Sequence, residues 1–458
     1  MTQTAISPTA AMVGFIGKTT FGDLPALART RAVACVADTI GVMAAGASCD
    51  IADRVLAALR DAGSLNGKHP LIGTAESTNA LDAALFNGVA AHALDYDDVN
   101  HPGPMHPGCH LVPALLALSS VHPASGQEFV LAYLIGFEID AKLGRLLNPR
   151  HYDRGWHATS TIGTVAAAAA GASLLGLDPE ATENCLSIAA SSAAGLRGNI
   201  GSMAKPLHAG AAARAGVQAA LLASHGFTGT KNILERRHGY FDAFGDDLDP
   251  DFGPLRELGS IWDIESEFGV GLKPYPCCGE ATAAVEAALD LAGQSAGTAI
   301  EKILVATNER ATRILTYPRP TTVEEARFSM PFCLATALVH RRADLSAFST
   351  EALADEQVND LIRRVEHVID EQYRHEREFG AIVRITLADG RELERIVPVA
   401  KGWAGRWLTE DEQLEKFVMC TRGYLSQTDA RDLHRLVISL ESLPDVSAIV
   451  SRLMPAAQ

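Results

Sequence analysis

The densest collection of titratable side chains lies in Asn87–His110, NGVAAHALDYDDVNHPGPMHPGCH. Asp95, Asp97 and Asp98 lead into a Pro/Gly-broken loop carrying His101, His106 and His110. Carboxylates orient imidazoles and raise their basicity, and histidine titrates near neutral pH, so the stretch has the components of a proton-transfer site. Taken singly, these residues also suit a solvated loop whose aspartates cap helices. Metal ligation is the lesser alternative, because no H-x-x-x-H or similar ligand face accompanies the cluster, and no metal is expected.

Three further segments add candidates. In Gly155-Trp156-His157-Ala158-Thr159-Ser160 a histidine sits beside the start of an apolar helix. Backbone N–H groups and the positive dipole there favour a neutral ring and an anionic ligand; packing of His157 on Trp156 is the plainer alternative. In Gly195–Gly210, GLRGNIGSMAKPLHAG, three glycines precede Lys205-Pro206-Leu207-His208 in what reads as a flexible strip. Lys205 is the only lysine between Lys142 and Lys231. Its apolar flanks favour a buried cation facing an anion over a snorkelling surface lysine. In Gly271–Glu280, GLKPYPCCGE, Pro274 and Pro276 exclude a helix, which puts Lys273 on an extended linker at a domain junction. Ligands often bind at such junctions, although a solvated linker lysine fits the segment equally well. The adjacent Cys277-Cys278 suits a pair of buried thiols better than a nucleophile. Gly14-x-x-Gly17-Lys18-Thr19 imitates part of a phosphate loop, but Met12 stands where the motif needs glycine, so nucleotide binding is not expected.

These residues need a scaffold, and the patterning supplies one. Through about residue 265 apolar residues recur at helical spacing, as in Arg29–Ala45, Ala80–Asp95 and Leu111–Ser120. Ala158–Leu175 and Ala209–Ala223 are apolar nearly all round, as central helices of a large bundle would be. From about 269 to 400 the character changes. Lys302–Thr307 has strand composition, and Ala381–Leu387 and Arg391–Val397 flank Ala388-Asp389-Gly390 as a hairpin, accompanied by helices at Ala281–Ala292 and Glu324–His340. Helical periodicity then resumes, with a capping box at Thr409 and Glu412. The expected fold is mainly α: an all-helical, discontinuous domain (1–268 and 401–458) with a smaller α+β lid (269–400).

The chain has 458 residues and a net charge of −16, which disfavours nucleic acid and anionic membrane as partners. Its eight cysteines include no C-x-x-C, and no basic n-region precedes the first apolar stretch, so a cytoplasmic location without a signal peptide is expected. The longest apolar run, Val165–Leu177, is too short to span a bilayer.

HALDYDDVNHPGPMHPG, GWHATSTIGTVAAAAA, GLRGNIGSMAKPLHAGAAARAG, HGFTG, LKPYPCC and EEARFSMPFCLATAL resemble, in the same order, motifs of the MmgE/PrpD family. That family includes 2-methylcitrate dehydratase, cis-aconitate decarboxylase and iminodisuccinate epimerase. The resemblance implies a helical domain with an α+β lid, a homodimer, no metal or organic cofactor, and a site between the domains. By position in the matching motifs, the family's active-site residues fall on Asp95, His106, His157, Lys205 and Lys273, and a lid tyrosine corresponds loosely to Tyr317. The expected roles are catalytic for Asp95, His106, His157 and Lys205, and substrate binding for Lys273, Tyr317, Cys278 and His101. One histidine, oriented by Asp95, would act as base; the other would protonate a departing hydroxyl or a carbon. Lys205 and Lys273 would pair with substrate carboxylates. Four positions depart from the family pattern: Val99 where threonine is frequent, Thr282 where histidine is frequent, Cys278 at a histidine position of the decarboxylase branch, and Ala215 for a common asparagine. These departures put a dehydratase-type hydro-lyase acting on a small di- or tricarboxylic acid first. A cis-aconitate decarboxylase-type carboxy-lyase and an epimerase of an imino- or hydroxy-dicarboxylate are the alternatives. A non-catalytic carboxylate-binding protein ranks below them.

Overall fold

The computed structural model describes residues 7–101, 103–245, 252–371 and 379–453. Residues 1–6, part of the N-terminal stretch considered above for a signal peptide, lie outside the described residues. The glycine–lysine decoy falls in a plain helix, Pro8–Lys18.

Small side chains set how the body packs. The Ala158–Leu174 helix is buried along almost its whole length, between helices Gly126–Leu147, Pro179–Ser192 and Ala204–Ser224. Ala204–Ser224 also packs along Ala80–His92, and the two backbones meet at a glycine pair. A Cβ on Gly210 would lie 2.2 Å from the Leu85 carbonyl oxygen, and one on Gly88 would lie 2.7 Å from the Gly210 Cα. These helices end at His92 and begin just before Lys205, so their approach sets the spacing of two polar side chains considered below. Gly210→Val is expected to destabilise the fold by about 3 kcal/mol through overpacking and to lower activity with it. Denaturant unfolding measures this, and an unchanged midpoint would show that the helix contact is slack.

Several local expectations are corrected. Lys205 and His208 lie in the first turns of the Ala204–Ser224 helix and not in a flexible strip. Pro206 is tolerated there because first-turn N–H groups have no intrahelical partner. The Ala80 helix stops at His92, and Asp95 follows in a left-handed conformation with φ 48°. The body is not all-helical: strands β1 (Leu65–Pro70) and β2 (Ser77–Thr78) pair antiparallel within it. Glu324–His340 is two helices, because the Ser329 side chain accepts from Phe332 N and Pro331 starts a second one, Met330–His340.

The smaller unit is a four-stranded sheet. β3 (Ile300–Thr307) lies beside β4 (Val365–Ile369) in parallel and beside β5 (Ala381–Leu387) antiparallel, and β6 (Glu392–Val397) pairs with β5. Ile303 faces Ile385 across β3 and β5, and Val305 faces Val383. These residues pack under helices Thr282–Ala292 and Met330–His340 in a core of their own. β4 escaped the sequence reading, since nothing in its short, half-buried pattern signals a parallel partner. After the sheet the chain returns to the body. Helix Glu410–Cys420, opened by the Thr409/Glu412 capping box, lays Phe417 against Gly41, and Leu433 and Val437 join the main core. Among the described residues no single helix is long and apolar enough to cross a membrane.

Candidate active site

Between body and lid lies a cleft lined from the body by Asp95, His101, His106, His157 and Lys205. Lys273 and Cys278 from the connecting linker, and Glu280, Arg310 and Phe379 from the lid, complete much of its wall. Seven of the eight residues expected to act in catalysis or substrate binding therefore border one cavity. Tyr317 is the exception. Its hydroxyl donates to the Ile200 carbonyl at 2.7 Å, and its ring packs on Gly201, so it ties lid to body outside the lining. His110 and Asp98 also lie elsewhere. His110 is buried in the core 3.4 Å from Asp140, and Asp98 accepts from Gly108 N at the start of helix Gly108–Ser119, which is the helix-capping alternative.

The linker holding Lys273 is clamped from both sides. Val99 and Gly271 exchange backbone hydrogen bonds, and Leu272 N donates to Gly402 O. Lys273 is 3% exposed, which excludes the solvated-linker reading. Behind it, Lys416 donates to the carbonyls of Tyr96 and Lys273 at 2.9 Å each and pairs with Asp38 at 2.6 Å. The C-terminal segment thus pins the Asp95–Asp98 turn to the Lys273 linker.

Donor-only ammonium groups and acceptor-only carbonyls fix the direction of most hydrogen bonds here. Lys205 Nζ donates to Asp95 Oδ1 at 2.7 Å and to His92 Nε2 at 2.6 Å. His92 Nδ1 in turn donates to Asp97 Oδ2 at 2.7 Å. Lys273 Nζ donates to Asp95 Oδ2 and to the Asp95 carbonyl, both at 2.8 Å. Each ammonium group uses two of its three N–H bonds within the described residues, leaving one for an acceptor in the cleft. His106 Nδ1 donates to the Asp98 carbonyl at 2.8 Å, so its Nε2 keeps a lone pair. His157 occupies the residue just before the Ala158 helix, and its Nδ1 shares one proton with His208 Nδ1 across 3.0 Å.

Two expectations change accordingly. Asp95 orients neither histidine, since both its oxygens are held by lysines; His106 is set by the Asp98 carbonyl with Asp97 at 3.5 Å, and His157 by His208. The lysines are not bare cations awaiting substrate but an Asp95-bridged pair. His92 and His208 were missed, although His208 lies three residues after Lys205 and His92 five before Asp97. Arg310 and Glu280 carried no sequence signal.

Burial alone would raise the Asp95 carboxyl, but Lys205 and Lys273 outweigh it and hold the group well below the usual carboxylate range. Burial lowers His157 and His106 far below 6.5, with nearby cations adding to the effect, so both rings are neutral near pH 7. Burial pushes the Cys278 thiol up, which argues against a thiolate nucleophile. In the unfolded chain a histidine protonates near 6.5. Where the folded ring stays neutral to lower pH, the unfolded state binds more protons and stability rises with pH. His157 therefore adds stability above pH 6.5 that is lost on acidification. Asp98 and Glu138, whose pKa values burial raises (Glu138 to about 7), act in the opposite direction, so a difference measurement is needed. Relative to His157→Gln, the wild type is expected to lose up to about 1.4 kcal/mol per pH unit between pH 6.5 and 5. Parallel stability curves for the two proteins would mean that His157 is not held neutral.

The donor atoms of His92, Asp95, Asp97 and His106 lie within 4.8 Å of one another, a spacing compatible with a metal ion. Yet both oxygens of Asp95 and Nε2 of His92 already accept from ammonium groups. A dication would have to displace the chain's own cations, so the donor set does not fit one.

A helical body and an α+β lid closing on an Asp-bridged lysine pair and two neutral imidazoles have the arrangement of an acid–base site for an anionic small molecule. Residues 10–253 match the MmgE/PrpD N-terminal domain and residues 275–442 the MmgE/PrpD C-terminal domain; the chain belongs to the MmgE/PrpD family. It is 27% identical to the cis-aconitate decarboxylase-like protein oryM of Aspergillus oryzae, over 98% of this chain and 99% of the relative. It is 30% identical to cis-aconitate decarboxylase of Mus musculus, over 81% of this chain and 78% of the relative. Against cis-aconitate decarboxylase of Aspergillus terreus the identity is 28%, over 84% and 83%.

Proposed function

We propose that this chain is a cofactor-independent lyase that decarboxylates a small tricarboxylic acid of the cis-aconitate kind. The observation that carries the proposal is the pair Lys205 and Lys273, each with a spare N–H, beside the neutral rings of His106 and His157 in one cleft. The similarity to cis-aconitate decarboxylases favours this reading over the dehydratase that the departures suggested. Of those departures, Val99 and Cys278 border the cleft, whereas Thr282 is buried outside its lining.

In such a reaction the bond to the departing carboxylate breaks and its electron pair forms a new C=C. The pair of the original double bond moves to the carbon beside another carboxylate, where a proton is added. Lys205 and Lys273 stabilise the enolate-like charge that builds up there. The substrate's own negative charge raises the pKa of the nearby imidazoles, so His106 or His157 takes up a proton on binding and delivers it to carbon.

Neutral rings are equally suited to begin by removing a proton, and that supports a hydro-lyase or epimerase as the second reading. Incubation with cis-aconitate, 2-methylcitrate, citrate and imino- or hydroxy-diacids in deuterated water separates them by product mass. Loss of carbon dioxide supports the first reading and loss of water the second; exchange at otherwise unchanged mass supports the epimerase. Binding without product would leave a carboxylate-binding protein. A cytoplasmic location, supported by the eight free cysteines, and a homodimer are part of the same proposal. Leu196 and Leu207, 57% and 44% exposed, are apolar surface that a second copy would cover. Sedimentation tests this.

A further inference from the structure

The cleft has a third cationic group that the proton-transfer chemistry does not use. Arg310, on the lid helix Glu309–Ile314, borders the same cavity as Lys205 and Lys273. Its guanidinium is fixed on three sides. Nε donates to Glu280 Oε1 at 2.5 Å, Nη1 donates to His101 Nε2, and Cζ lies 4.8 Å from the centre of the Phe379 ring. Nη2 is different: it is buried and has no hydrogen-bond partner.

A guanidinium keeps its charge at any pH a protein meets, so a buried N–H group without an acceptor is a standing penalty. An incoming oxygen anion removes that penalty. The planar fork matches a carboxylate, and its geometry is set in advance because Glu280, His101 and Phe379 already orient it. Glu280 also offsets the Arg310 charge, which makes this group selective for a well-placed acceptor and not a general attractor of anions.

We infer that Arg310 is a specificity-determining residue that takes a second carboxylate of the substrate, remote from the one held between Lys205 and Lys273. This inference rests on the reading of the cleft as a polycarboxylate site and names the feature it selects. Two carboxylates at opposite ends of a short carbon skeleton bind; the same skeleton with one carboxylate does not. Because Arg310 belongs to the lid and His101 to the body, the ligand also completes a contact that joins the two.

Calorimetric binding to the full chain tests this with tricarballylate, glutarate and butyrate as unreactive tri-, di- and monocarboxylate probes. The wild type is expected to bind the first two and to reject butyrate. Arg310→Gln is expected to weaken tricarballylate and glutarate by about 10–100-fold, as loss of a charged hydrogen bond would, and to leave butyrate unchanged. Arg310→Lys keeps the charge without the fork, so it should fall between the two and serves if the glutamine variant misfolds. Lys205→Ala, run in parallel, is expected to weaken all binding carboxylates regardless of number. Wild-type affinity in both Arg310 variants, with Lys205→Ala impaired, overturns the Arg310 assignment while the polycarboxylate reading stands. A wild type that binds none of the three probes overturns that reading and the inference with it.

Discussion

Lys205→Ala is expected to lower kcat by at least about 10³-fold, because it removes a preorganised N–H from the position where charge develops, an effect of about 10²–10³ by itself. It also leaves His92 Nε2 without its donor and Asp95 with one lysine instead of two. His157→Ala is expected to cost about 10²–10⁴-fold in the same parameter, the range for loss of a general acid or base. Neither change should unfold the protein. Asp95 keeps Lys273, and His208 borders partly open space once its partner ring is gone. The check is single-turnover kinetics on whichever acid the product analysis identifies, paired with melting curves. Turnover persisting in both variants would remove the roles given to these residues, whatever the family membership.

Asp95→Asn is the more severe change, and its readout is stability. Asp95 lies in a left-handed turn, 3% exposed, with Lys205 and Lys273 on its two oxygens. Removing the anion leaves two buried ammonium groups facing a neutral amide. Breaking a buried ion pair from one side costs about 3–5 kcal/mol. The deficit should carry a pH signature. In the variant at least one of these lysines titrates below its unfolded value, so the unfolded state binds more protons in that interval and stability rises with pH. The gap between variant and wild type is therefore expected to narrow from pH 7 to 9. A gap that is constant with pH would assign the loss to packing and not to the charge on Asp95.

Much of the architecture could be read from the chain because it follows from local patterning. The Ala- and Gly-rich runs at 158–174 and 204–224 become central helices, and the hairpin at 381–397 forms as its alternation and Asp389-Gly390 turn require. The break at Ser329 had a local signal in Pro331, but β4 had none, since a strand that pairs in parallel with a distant neighbour depends on a crossover. The site was legible as a set of residue types. Its wiring was not. His208 stood in plain view beside Lys205, yet nothing in the sequence couples its ring to His157, 51 residues away.

The sequence by itself determined which chemical groups the protein owns: carboxylates and imidazoles concentrated in 95–110, isolated lysines at 205 and 273, and helices able to pack closely around them. Tertiary structure alone decided who partners whom. Asp95 meets lysines 110 and 178 residues away, and Arg310 meets a histidine 209 residues away. The reason is physical: hydrophobic periodicity is a short-range code that survives in any window of the chain, whereas the choice of a buried charge's partner depends on which backbones approach, and where water is excluded, once the whole chain has folded.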